Sequence, residues 1–249
     1  MAEANASGGW LSHLFELRAR LVKVTVAVIA LFALFAIFSD RLYSELAAPM
    51  LAALPKGSQL IATDPLTPFS TPLRLALYLA ILAAAPVLLY QAWAFIAPGL
   101  YRREKRVAAP LLVSSMLLFY AGCAFAYFVL LPVMFKFLAV TKPEGVVMMP
   151  DIARYLDFVA VIALASGFSF EVPVALVILV LMGWVTTDQL REARGYAIVG
   201  VFVLAAVITP PDVISQLMLA IPMCLLYEAG IIAARLLAPK PGSLRDERT

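Results

Sequence analysis

The sequence predicts an all-α polytopic membrane protein of six transmembrane helices with both termini cytoplasmic, and three observations lead there. Of 249 residues 63% are hydrophobic and 14% charged, with a mean hydropathy of +0.95. The apolar residues run in blocks of membrane-crossing length instead of spreading along amphipathic faces. These blocks are about Val22–Phe38, Pro72–Ala97, Val107–Phe137, Ile152–Leu181, Gly195–Ile208 and Val213–Ala234, and an even number puts both ends of the chain on one side. Of the 19 Lys and Arg, thirteen fall in segments on the side of the termini, five fall on the other side, and Arg74 lies inside a span. An excess of Lys and Arg in short loops marks the cytoplasmic face. The organisation expected is one six-helix domain over residues 1–234 and a polar cytoplasmic tail over 235–249.

The elements follow in chain order. Ser12–Leu21 (SHLFELRARL) places Leu14, Leu17 and Leu21 on one stripe with Glu16, Arg18 and Arg20 off it, the pattern of a helix at about 12–21 lying on the membrane surface and running into the first span. The residues before that span include Glu3 and Glu16, and the run they lead into is too long for the core of a cleaved leader, so the first span is expected to be retained. Glu16 and Arg20 are one helical turn apart, and as a solvated surface pair they would contribute about 0.3–0.5 kcal/mol. The outer loop Ser39–Ser70 carries Leu42, Leu46, Met50, Leu51 and Leu54, which suit a short interfacial helix broken by Pro49.

The break Phe95–Arg106 (FIAPGLYRREKR) sets Arg102, Arg103, Lys105 and Arg106 around one acid, Glu104. A carboxylate among cations at a membrane surface either balances charge in solvent or receives an incoming cation, and a second carboxylate on the same side, Glu16, favours the receptor. A turn at Lys142–Gly145 precedes span four, where Asp151 suits an N-cap. Glu171, in GFSFEVPV about halfway along that span, costs several kcal/mol to remove from water. It should face a polar crevice, or else sit protonated and hydrogen-bonded between helices. Pro173 cannot donate to the Ser169 carbonyl and should kink the chain there.

The fifth and sixth helices are expected to be short. The fifth, at about fourteen residues, covers roughly 21 Å of a hydrocarbon core about 30 Å thick. Thr209-Pro210-Pro211-Asp212 joins them. Asp212 is either a simple N-cap or a functional acid, and Gln216, one turn on, should hydrogen-bond another membrane helix.

Catalysis finds little support. His13 is the only histidine, which leaves no Ser/His/Asp triad or His-based metal site, and no glycine-rich phosphate loop occurs. Cys123 and Cys224 both lie inside apolar runs. No enzyme activity, cofactor, metal or nucleic-acid partner is expected.

Four stretches together resemble one family, the multispanning TatC receptor subunit of twin-arginine translocases. They are HLFELRARL (His13–Leu21), FIAPGLYRREKR (Phe95–Arg106), SFEVPV (Ser169–Val174) and TPPDVISQLMLAIPMCLLYE (Thr209–Glu228). The resemblance implies a receptor and core subunit in a bacterial inner membrane, assembling as homo- and hetero-oligomers with small single-span TatA/TatB-type partners. It would bind the twin-arginine signal peptides of folded precursors for export driven by the proton motive force. The carboxylates matching Glu16 and Glu104 contact the arginine pair, in a peptide-binding set that also takes in Arg18, Phe95 and Leu100. Pro49, Glu171, Asp212 and Gln216 become positions sensitive for partners or translocation. The competing reading is a proton-coupled secondary transporter using Glu171, which would call for a mid-depth cavity and two related halves.

Overall fold

The computed structural model describes residues 3–45, 61–96, 105–141, 151–209 and 212–237. Pro49, Leu100 and Glu104 lie outside them, as do most of the expected interfacial helix and the turn at Lys142–Gly145. Regular structure among the described residues is helical, with one isolated bridge between Ile61 and Asp151. Five stretches are long and apolar enough to cross a membrane: Leu14–Ile37, Thr67–Ile96, Ala108–Phe137, Ile152–Leu181 and Val213–Leu237; Arg194–Ile208 is apolar but shorter. Internal contacts group the chain into two compact units, Met1–Pro98 with Phe135–Leu164, and Gly99–Met134 with Ala165–Thr249.

In the first unit, α1 (Glu3–Ile37) runs without a break from the expected surface helix through the first apolar run. Its only glycines are Gly8 and Gly9 and it has no proline, so nothing in the sequence separates the two pieces. No residue of Leu14–Ile37 is buried, as suits a helix that presents most of its circumference to lipid. It packs on α2 (Thr67–Ile96), which starts five residues before the expected span because Asp64 caps it. The Asp64 side chain accepts the Leu66 N–H at 2.8 Å and its carbonyl accepts the Thr67 N–H at 3.0 Å.

Asp151 is the N-cap expected for the fourth span, accepting the Arg154 N–H at 3.0 Å on Oδ1. Its Oδ2 accepts the N–H (3.1 Å) and the hydroxyl (2.6 Å) of Thr63, so this residue also ties the two stretches of chain together. The Thr63 hydroxyl, helped by the Arg154 N–H, holds the Asp151 carboxyl down from 3.8 to about 2. A lowered value means the link is fully present above the ordinary 3.8 and is lost as the pH falls through about 2. Deeper in the unit, Asp157 on α5 (Ile152–Phe170) accepts from Arg74 at 3.3 Å and from the Tyr78 hydroxyl at 2.8 Å, both on α2. That pairing explains a charge inside an apolar helix.

The second unit contains α3 (Lys105–Phe125), a π-helical turn (Ala126–Leu130) and the start of α4 (Leu131–Thr141). It continues from the end of α5 through α6 (Val172–Leu181), α7 (Thr187–Glu192), α8 (Arg194–Ile208) and α9 (Val213–Leu237). Small residues bring the helices close. A Cβ at Gly122 would lie 2.6 Å from the Ser166 carbonyl oxygen and 2.9 Å from the Gly167 Cα, and one at Gly230 would lie 2.8 Å from the Pro173 Cα. Leu176, Leu190 and Ile231 form a buried cluster joining α6, α7 and α9. Thr186 and Gln189 close a capping box at the start of α7.

The shortness expected of the fifth span holds for α8, with 15 residues, and that expected of the sixth does not hold for α9, with 25. At 1.5 Å per residue α9 is about 37 Å long, enough to cross a core of about 30 Å. It runs past Glu228, as the block to Ala234 implied, because Ala229–Ala234 is again apolar, and the Glu228 charge is paired with Arg194 at 2.7 Å. The same run carries the helix to Leu237, three residues into the segment expected to be tail.

Gly122→Ala should lower the thermal stability of the detergent-solubilised protein by about 1–3 kcal/mol, because its neighbours are backbone atoms and the helices must separate. Gly200→Ala, where nothing lies within 4 Å, should leave the midpoint unchanged or raise it. Equal midpoints for the two variants would refute the close-packing account.

Candidate functional site

The charged site begins where α1 meets the C-terminal end of α2. Arg20 donates to Glu16 Oε1 from Nε at 3.1 Å and from Nη2 at 2.6 Å. The same guanidinium reaches across to α2, from Nη1 to the Gln91 side-chain oxygen at 3.3 Å and from Nη2 to the Ala94 carbonyl at 2.9 Å. Ala94 is in the last turn of α2, where carbonyls have no partner within the helix and a cation meets the negative end of the helix dipole. The surface pair read from spacing is therefore present and does more than spacing suggests, since Arg20 also joins α1 to α2. The Glu16 side chain is 36% exposed, and among the described residues no donor reaches its Oε2. Phe95 follows Ala94 and is half-buried, and Arg18 is exposed on α1.

Glu171 stands at a break between α5 and α6. Its N–H returns to the Phe168 carbonyl at 3.1 Å, its own carbonyl accepts from Ala175 at 2.9 Å, and Pro173 lies just inside α6. The interruption expected from Pro173 thus falls two residues before it, at the carboxylate. Glu171 Oε2 accepts the Ser115 hydroxyl of α3 at 2.5 Å, while Oε1 is buried without a partner among the described residues. An acceptor left open in an apolar setting is a place for a donor to enter.

The third group is the α8–α9 hairpin. Asp212 caps α9, one of the two readings open to it, its Oδ1 accepting the Ser215 N–H at 2.7 Å, and its Oδ2 is buried without a partner among the described residues. Gln216 bonds within the hairpin itself, its Nε2 donating to the Phe202 carbonyl of α8 at 3.0 Å. Towards the C-terminal end of α9, Arg194 grips both oxygens of Glu228, from Nε and Nη2, each at 2.7 Å, and the Tyr227 hydroxyl donates to the Leu190 carbonyl at 2.7 Å.

Glu16 thus belongs to the α1–α2 contact, with Phe95 next in sequence to the Ala94 that Arg20 reaches, Asp212 and Gln216 to the hairpin, and Glu171 to a polar spot of its own with Ser115. Sequence reasoning missed Ser115, Gln91 and Asp157. A serine or an aspartate inside an apolar run was the available signal for two of them, and Gln91 had the signal of an amide one turn before a helix end. Among the described residues no group of His, Cys, Asp and Glu is arranged to hold a metal ion.

The family model described as Sec-independent protein translocase protein (TatC) matches residues 12–222. The chain belongs to the TatC family. The TatC of Escherichia coli strain K12 is 50% identical over 237 residues, covering 95% of this chain and 92% of the relative. The TatC of Haemophilus influenzae is 48% identical over 240 residues, covering 96% and 94%. A crystal structure of the twin arginine translocase receptor TatC superposes with a TM-score of 0.79 at 39% identity, over 90% of this chain and 99% of that one. The chain is thus a TatC component of Sec-independent protein translocation, with several helices apolar enough to cross a membrane.

Glu171→Gln should retain most translocation activity and Glu171→Leu should lose it, because an amide still accepts from Ser115 and still offers a polar group at that depth. Leu would also leave the Ser115 hydroxyl unpaired, at about 1–3 kcal/mol of stability. Equal activity of the Gln and Leu variants in membrane vesicles would show that polarity there is irrelevant.

Proposed function

We propose that this chain is the receptor and core subunit of a twin-arginine translocase. It spans a bacterial inner membrane six times with both termini cytoplasmic, and it binds the twin-arginine signal peptide of folded precursors at its cytoplasmic face. It assembles with small single-span TatA/TatB-type partners, with itself, and with the bilayer around it, for export driven by the proton motive force. The peptide contacts proposed are Glu16 and Glu104, with Arg18, Phe95 and Leu100 around them. Pro49, Glu171, Asp212 and Gln216 serve partners or translocation.

The observation that carries this reading is the Glu16 carboxylate, fixed on one oxygen by Arg20 and open on the other, at the helix end that leads into the basic break holding Glu104. An arginine fork matches a carboxylate with two parallel hydrogen bonds, so two carboxylates make a sensible detector for two arginines. Magnitude sets the limit of that detector. Charge-assisted bonds contribute roughly 1.5–3 kcal/mol each, so one such bond to each carboxylate supplies at most about 6, short of the roughly 8 kcal/mol of a micromolar complex. The apolar core of the signal peptide, lying against the helices, supplies the remainder. A proton-coupled transporter built on Glu171 is not favoured by membership of a protein-translocase family.

Glu104 is the principal contact in this reading, since Glu16 is already shared with Arg20 while Glu104 stands among four cations. Glu104→Ala should weaken a twin-arginine peptide by about 2–3 kcal/mol, roughly thirty- to more than a hundredfold, because the arginines would then face Arg102, Arg103, Lys105 and Arg106 with no anion between. Glu104→Gln should fall between wild type and Glu104→Lys. The measurement is peptide binding to each variant at low and moderate salt. Unchanged binding by Glu104→Ala, or consistently greater damage from Glu16→Ala, would sink the assignment.

A further inference from the structure

We propose that Arg20 is the residue that makes the Glu16 site choose a guanidinium over an ammonium, a specificity-determining role that rests on Glu16 being a peptide contact. A bare carboxylate attracts any cation with little regard to direction. Here Oε1 already accepts two N–H groups from Arg20, at 3.1 and 2.6 Å, so the pair carries no net charge to draw in an ion from a distance. What remains is the directional acceptor capacity of Oε2, on a side chain that is 36% exposed.

Arg20 is not free to swing away and leave the carboxylate bare. Its Nη1 is engaged by Gln91 and its Nη2 also by the Ala94 carbonyl, so the α2 end holds the guanidinium and through it the Glu16 rotamer. A fixed, neutralised, one-sided acceptor suits an incoming arginine. That group is weakly hydrated, keeps its charge in every state, and presents N–H groups in a rigid plane. A lysine ammonium is strongly hydrated and needs net negative charge to repay its lost water, which this pair does not offer.

Removing Arg20 should therefore free Glu16 as an ordinary anion, raising lysine binding and eroding the preference. The experiment uses the full chain in detergent with two peptides, one carrying Arg-Arg ahead of an apolar core and its Lys-Lys twin, and reads the ratio of the two dissociation constants. Arg20→Gln should reduce that ratio at least fivefold, chiefly by tightening the lysine peptide. Arg20→Lys keeps the charge but cannot reach Glu16, Gln91 and Ala94 together, and should reduce the ratio by a smaller factor; this variant decides the matter if Arg20→Gln does not fold. An unchanged or increased ratio in the folded Arg20 variants, with Glu16→Gln still weakening the arginine peptide, overturns the role of Arg20 alone. Wild-type binding of the arginine peptide by Glu16→Gln overturns the receptor reading of Glu16, and this inference with it.

Discussion

An apolar side chain gains little by leaving lipid for a helix interface, because the two surroundings are equally free of water. Helices in a chain of this composition are therefore held by close backbone approach and by the few polar groups the spans contain. Gly122 against Ser166 and Gly167, and Gly230 against Pro173, are the close approaches. Arg74 and Tyr78 with Asp157, Ser115 with Glu171, and Gln216 with the Phe202 carbonyl are the polar ties. Each interhelical hydrogen bond contributes only about 0.6 kcal/mol on average and up to about 1.7, so the arrangement depends on several acting together.

The carboxylates of the described residues differ in how their oxygens are filled. Asp151, Asp157 and Glu228 have donors on both oxygens, and each ties two stretches of chain distant in sequence. Among the described residues, Glu16, Glu171 and Asp212 have a donor on one oxygen only. For Glu171 and Asp212 the second oxygen is buried, where an unfilled acceptor costs free energy that an entering donor would recover. One internal hydrogen bond sets the rotamer, and the other oxygen keeps its capacity.

The α8–α9 hairpin shows the same economy on a larger scale. A helix of 15 residues is too short to span about 30 Å unaided, and it is tied to the longer α9 by Gln216 near one end and by the Arg194–Glu228 fork at the other. The fork also neutralises the Glu228 charge on α9.

Composition and period are local properties, and what they report is local. The apolar blocks, the N-caps at Asp151 and Asp212, the i, i+4 pair of Glu16 and Arg20, and the interruption near Pro173 could all be read from neighbours within a turn or two. The four motifs carried the family for the same reason, since a motif is a local string. Partners far apart in sequence could not be read this way. Arg20 with Gln91 and Ala94, Ser115 with Glu171, Thr63 with Asp151, and Arg194 with Glu228 are each set by which helix faces meet. The capture of Glu228 belongs with them: its arginine lies 34 residues away, and only the packing of α8 on α9 brings the two together.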